Sequence, residues 1–335
     1  MHSNDERNPL ASVDAHGQGP RRRSLTTPRG ALSQAHFQGA LFYTGAMAGL
    51  ALLDACAKLL VGDYGLAQVL FMRGAIAIIP IAFAIWLLKL PLSLPRQHIG
   101  LHVLRLVTIV IATALFFDAL RYLHLGQAAA IGLIGPLVMT VLGSRRLGEP
   151  IDPGARLLLT AGCGAAVVAL APWNMEWGTA PWQGILGAAA ATALYAVSMV
   201  QTRRLALAGE AATLLWCTPV GVCLIAAPFA LGSWEATWTD DFAVFCGMGI
   251  FGGASTIFIT LALRLAPVTV VAPFDYSIFV FAAILGFLIF GTRADAQILV
   301  GGLLLTGALF LRAHVAGQRF VSESGAACWA RLRPR

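Results

Sequence analysis

Charge is scarce along this chain. Asp, Glu, Lys and Arg together make up 12% of its 335 residues, against about 25% in a soluble globular domain, so a water-exposed surface cannot be covered. No run alternates apolar and polar residues in twos, which sets a transmembrane β-barrel aside. Enzyme signatures are missing as well: there is no H-E-x-x-H, no G-x-S-x-G, and no cluster among the seven histidines, so an intramembrane enzyme is the weaker alternative. No phosphate-cradling glycine loop is present, and ATP-driven pumping is not expected. Neither a filter loop nor a ring of like charges marks a channel. Cys56, Cys163, Cys217, Cys223, Cys246 and Cys328 show no metal-ligand spacing and no disulfide framework, so neither a metal nor a cofactor is expected.

Apolar sequence fills the space. Hydrophobic residues make up 58% of the chain and the mean hydropathy is +0.76. A helical span needs about 20 mainly apolar residues, and such stretches recur at 38–60, 66–88, 103–122, 126–145, 155–172, 182–202, 212–232, 242–262, 267–290 and 296–313. Lipid leaves helices as the spanning element, because each backbone group must pair within its own segment. The expected fold is an all-α membrane protein of ten transmembrane helices. Residues 1–36 are polar and arginine-bearing, and read as a disordered basic cytoplasmic arm. Residues 315–335 read as a short cytoplasmic tail.

Most of the 23 basic residues fall in the arm, in alternate connections and in the tail, leaving Lys58, Arg73, Arg121 and Arg293 elsewhere. By the positive-inside rule both termini face the cytoplasm. The opposite loops carry Trp173, Trp177, Trp182, Trp234 and Trp238, as an outer aromatic belt would. The arginine-rich arm flanks a membrane, and no nucleic-acid partner is expected. An arginine-heavy, alanine-rich composition points to a GC-rich bacterial genome, hence to the inner membrane.

The chain repeats itself. Residues 119–129 read ALRYLHLGQAA and residues 262–271 read ALRLAPVTVV, placing Arg264 143 residues after Arg121. The same offset matches Gly143 with Gly286, Gly148 with Gly291 and Asp152 with Asp295, and a slightly different one matches Lys58 with Arg203. Each half holds five stretches. An odd number reverses the second copy, giving two inverted five-helix repeats, a recurring construction of secondary transporters.

The stretch ALRYLHLGQAAAIGLIGPLVMTVLGSRRLGEPI resembles EamA-type members of the drug/metabolite transporter superfamily. LALLDACAKLLVGDYGLAQVLFMRGAIA and APFDYSIFVFAAILGFLIFG are similar to that family at corresponding places. The resemblance implies one EamA-like repeat over 37–172 and a second over 181–314, with Gly148, Glu149 and Gly291 as structural motif residues. One departure is visible: Glu149 is answered by Thr292. The function implied is a secondary active transporter of a small organic metabolite, an exporter by alternating access and proton-coupled. An amino-acid-like or other zwitterionic cargo is preferred, with an uncoupled facilitator or channel-like permease as alternative. A homodimer is compatible with the sequence.

Ionisable groups within spans are costly and mark function. Asp54 and Lys58 stand four apart on one helix face, where they can pair. With Arg73, Asp118 and Gln68 they form an expected outer-half pathway cluster, or else a structural ion-pair set. Asp275, next to Tyr276 and without an evident basic partner, is the expected proton-coupling residue. Pro136 and Pro273 are expected to kink their helices at a gate. Gly45, Gly49, Gly249 and Gly253 are expected at close helix contacts. Glu149 is expected to cap the following helix or to pair with Arg145 or Arg146.

Overall fold

The computed structural model describes residues 29–87, 89, 98–123, 128, 131–132, 134–151, 156–157, 159–160, 163–164, 182–236 and 239–291. Among them there are helices and connections and no strand. They are α1 (Arg29–Leu60), α2 (Leu66–Leu87), α3 (Ile99–Tyr122), α4 (Gly135–Leu147), α5 (Trp182–Leu207), α6 (Ala211–Gly232) and α7 (Thr239–Leu265). Then follow α8 (Val268–Val271), a 3-10 helix (Ala272–Tyr276) and α9 (Ser277–Phe290). Seven helices are long and apolar enough to cross a membrane, counting Val268–Phe290 as one span. The expected stretches at 155–172 and 296–313 lie outside the described residues, apart from a few helical positions in the first.

Helix ends differ from expectation for local reasons. α1 reaches back to Arg29, into the expected arm, because extending an existing helix is far easier than starting one. α3 begins at Ile99, which puts Arg105 inside a helix and not in a connection. α4 and α9 both end at a left-handed glycine, Gly148 at φ 65° and Gly291 at φ 61°. Only glycine adopts that conformation freely, and its N–H closes the last turn. The shared geometry at the 143-residue offset gives the motif glycines their role.

The outer surface is apolar where lipid would lie. Trp86, Leu224 and Leu231 are more than 70% exposed, and Ile79, Phe83, Phe229 and Leu288 are also well exposed. In water such a girdle would aggregate; in hydrocarbon it is the solvated face. The chain is an integral membrane protein.

Inside, small residues bring helices together. A Cβ on Gly253 of α7 would stand 2.6 Å from Pro80 Cγ and 3.0 Å from the Ala77 carbonyl of α2. Gly249 meets Ile76, Gly45 meets Phe258 and Gly49 meets Ser255, so the expected glycine pairs do mark close contacts. α1 packs along α7, α3 along α5, and α2 against α6 and α7, while α1 meets α9 and α4 meets α5. Two apolar cores result. One gathers Tyr43, Met139, Met199 and Tyr276, and the other Leu53, Leu60, Tyr64, Phe117 and Phe245.

Candidate functional site

Between the cores lies a cavity of about 200 Å³. Its wall is mainly apolar, with Met47, Phe116, Phe117, Met199 and Phe279 prominent, and it carries charge of both signs: Asp54, Arg73, Arg105 and Asp275. Thr113, Thr192, Thr218, Thr256 and Tyr195 add hydroxyls. A few polar groups in an apolar, concave wall is the usual composition of a small-molecule site.

Interrupted helices shape this space. α4 restarts at Gly135 after a turn at Ile134, and Pro136 occupies its first turn. Pro136 therefore opens a helix, where its missing N–H costs nothing, and does not kink one from within. Pro273 sits in the 3-10 segment Ala272–Tyr276, which breaks the span between α8 and α9. Asp275 lies in that break, and its Oδ1 accepts a 3.0 Å hydrogen bond from the Tyr43 hydroxyl of α1. Among the described residues Asp275 has no basic partner, as expected; it is held instead by a phenol 232 positions away, invisible to any local reading.

Of the expected cluster, Asp54 and Arg73 line the cavity, and the Arg73 guanidinium lies 5.7 Å from the Phe117 ring centroid. Lys58 turns elsewhere. Its Nζ donates to the carbonyls of Leu120 and, at 3.1 Å, Leu123, at the end of α3, where helix carbonyls lack partners. Gln68 is likewise engaged outside the cavity wall: its amide donates to the Glu235 carbonyl at 2.8 Å and accepts from the Glu235 N–H at 2.9 Å. Asp118 is half-buried and not part of the cavity wall. Tyr276 is buried outside the wall, its hydroxyl 3.4 Å from the Leu159 carbonyl.

Three features were not anticipated. Arg105 is 5% exposed and reaches the cavity. Among the described residues Glu149 pairs with neither Arg145 nor Arg146, and the start of the next helix in sequence lies outside them. Glu149 accepts from Arg203 Nε at 2.9 Å and from the backbone N–H of Val268 at 2.8 Å, which ties α4, α5 and the start of α8 together. Arg203 also donates to the carbonyls of Leu263 and Arg264 at 2.5 and 3.3 Å. This repeats, at the matching position, what Lys58 does for α3. Finally, His98 and His102 converge on Glu210, the first at 2.7 Å. Partial burial raises the Glu210 carboxyl, but the hydrogen bonds and charges of the two imidazoles outweigh it and hold it below the usual glutamate range. The four-residue spacing of these histidines, His98 just before α3 and His102 in its first turn, was the available signal. Among the described residues no group of three or more His, Cys, Asp or Glu could hold a metal ion.

Residues 37–171 match the EamA-like transporter family. A riboflavin transporter of Brucella anthropi is 26% identical over 254 residues, covering 70% of this chain and 88% of that protein. A riboflavin transporter of Vibrio cholerae is 25% identical over 276 residues, covering 80% and 90%. A crystal structure at 18% identity superposes with a TM-score of 0.65 over 86% of this chain and 98% of its own, and shares the fold. With its apolar girdle, interrupted helices and mixed-charge cavity, the chain is similar to EamA-type transporters of the drug/metabolite transporter superfamily, whose family domain it matches over residues 37–171.

Proposed function

We propose that the protein is a ten-span secondary transporter built of two inverted five-helix repeats, which carries a flat, ring-bearing organic metabolite through this cavity by alternating access. The carrying observation is the cavity itself, set between interrupted helices and lined by aromatic side chains and by charges of both signs. Discontinuous helices around a central site are a recurring transporter device. The reciprocal helix pairing supports the inverted repeat: α1 against α7 answers α5 against α3, and α1 against α9 answers α5 against α4. So do the paired cations, since Lys58 holds the end of α3 as Arg203 holds the end of α7.

The named relatives make riboflavin the first cargo to try. The mixed-sign wall supports a second reading, an aromatic amino acid or similar zwitterion, whose ammonium and carboxylate would find Asp and Arg groups. Export in exchange for protons is the proposed direction and coupling, with Asp275 as the proton carrier, since it alone of the two cavity carboxylates sits in a helix break. The test is flux in proteoliposomes with an internal pH dye, using riboflavin and aromatic amino acids on wild type and Asp275→Asn. Cargo flux with proton movement that disappears in the variant supports the reading. Flux without proton movement in either protein leaves a facilitator, and no flux of any cargo overturns it.

A further inference from the structure

We propose that Arg105 is the recognition point for a carboxylate on the transported compound, an inference that rests on the cavity being the transport site. Arg105 stands about two turns into α3 and is buried to 5% exposure. Its Nε donates to Thr202 Oγ1 of α5 and its Nη1 to Thr218 Oγ1 of α6, each at 2.7 Å. Both threonines spend their single proton on their own helices, Thr202 on the Ser198 carbonyl and Thr218 on the Leu214 carbonyl, again at 2.7 Å. Their lone pairs fix the guanidinium in place. Being neutral acceptors, they supply no counter-charge, and no carboxylate among the described residues forms an ion pair with Arg105.

A guanidinium has five N–H donors in a plane. The threonines take two, which leaves three, one on Nη1 and two on Nη2, on a side chain that lines the cavity. Nearby carboxylates are otherwise engaged or set apart. Glu210, beyond the start of α3, is held by His98 and His102, Glu149 is paired with Arg203, and Asp275 accepts from Tyr43. Asp54 lines the same cavity but makes no ion pair with Arg105. The other cavity arginine is placed differently, over the face of Phe117.

A buried cation without a counter-ion is expensive to keep. An immobilised fork with free donors in an apolar cavity is the arrangement that binds a carboxylate in two-pronged fashion. The charge and the planar donor set together select an acid over its neutral amide. Lysine would supply the charge without the fork.

The experiment uses full-length protein in lipid nanodiscs and calorimetric titration with matched acid and amide probes: L-tryptophan with L-tryptophanamide, and indole-3-acetate with indole-3-acetamide. Riboflavin serves as a neutral probe. Wild type is expected to bind an acid about tenfold or more tightly than its amide, the scale of one lost charge-assisted contact. Arg105→Gln is expected to bring the two within about twofold while still binding the amide, which shows a folded cavity. Arg105→Lys should fall between, and Thr202→Val should weaken the preference by loosening the fork. Equal affinity for acid and amide in wild type overturns the proposal, as does a preference that survives Arg105→Gln. Tight riboflavin binding that Arg105→Gln leaves untouched, with no acid bound, overturns it while leaving the transporter reading intact. Failure of every probe, riboflavin included, to bind wild type overturns both.

Discussion

Replacing Glu149 by Ala should loosen one whole end of the helix bundle. The side chain is 8% exposed and accepts from Arg203 at 2.9 Å and from the Val268 N–H at 2.8 Å. Its removal leaves a buried guanidinium without its carboxylate and the first turn of α8 without a cap. Breaking a buried pair from one side costs about 3–5 kcal/mol. The low end applies here, about 3 kcal/mol, because the Leu263 and Arg264 carbonyls still accept from Arg203. With about 2 °C per kcal/mol for a large domain, the apparent Tm should fall by about 6 °C. Glu149→Gln should lose roughly half of that, since the amide oxygen can still accept but carries no charge. Thermal unfolding of purified protein in nanodiscs measures both, and the double variant Glu149→Ala/Arg203→Ala measures the coupling. A Tm within 1 °C of wild type, or strict additivity in the double variant, would refute the assigned clamp.

Gly253→Ala should destabilise by about 1–3 kcal/mol, because the new Cβ would press on Pro80 and the Ala77 carbonyl; an unchanged Tm would show that α2 and α7 are not packed as closely as described. Lys58→Met should cost about 1 kcal/mol through the orphaned carbonyls of Leu120 and Leu123, with no change in ligand affinity, as isothermal titration would read. Glu210, whose carboxyl is held low by His98 and His102, stabilises the fold above the ordinary glutamate range and loses that contribution as pH falls through its lowered value. Wild type should therefore lose more Tm than Glu210→Gln on acidification from pH 7 to pH 4, and parallel curves would contradict this.

Lipid made much of the fold legible. Seven apolar stretches became helices close to their expected limits, since a span has little choice of structure in hydrocarbon. Asp54, Arg73 and Asp275 were legible because a charge in an apolar run stands out. Arg105 was not: near the start of a stretch it resembles a loop arginine, and only the earlier start of α3 at Ile99 buries it. Lys58 misled through its four-residue spacing from Asp54, a local cue overridden by the carbonyls of α3, 62 and 65 positions away. Gln68 and Tyr276 lie outside the cavity wall, each bonded to a distant backbone carbonyl. Glu149 shows the limit most clearly. Its partners Arg203 and Val268 are 54 and 119 residues away, and only the packing of α4 between α5 and α8 brings them together.

If cargo passes through the cavity between the two cores, plugging that cavity should stop it. Ala112 of α3 is buried and lines the cavity, whereas Leu224 of α6 is 71% exposed on the outer face. Riboflavin and aromatic amino-acid flux would be measured in proteoliposomes bearing wild type, Ala112→Trp or Leu224→Trp, with Tm followed in parallel. Ala112→Trp should abolish flux while the folded protein persists, and Leu224→Trp should transport as wild type does. Undiminished flux through Ala112→Trp would contradict passage through this cavity.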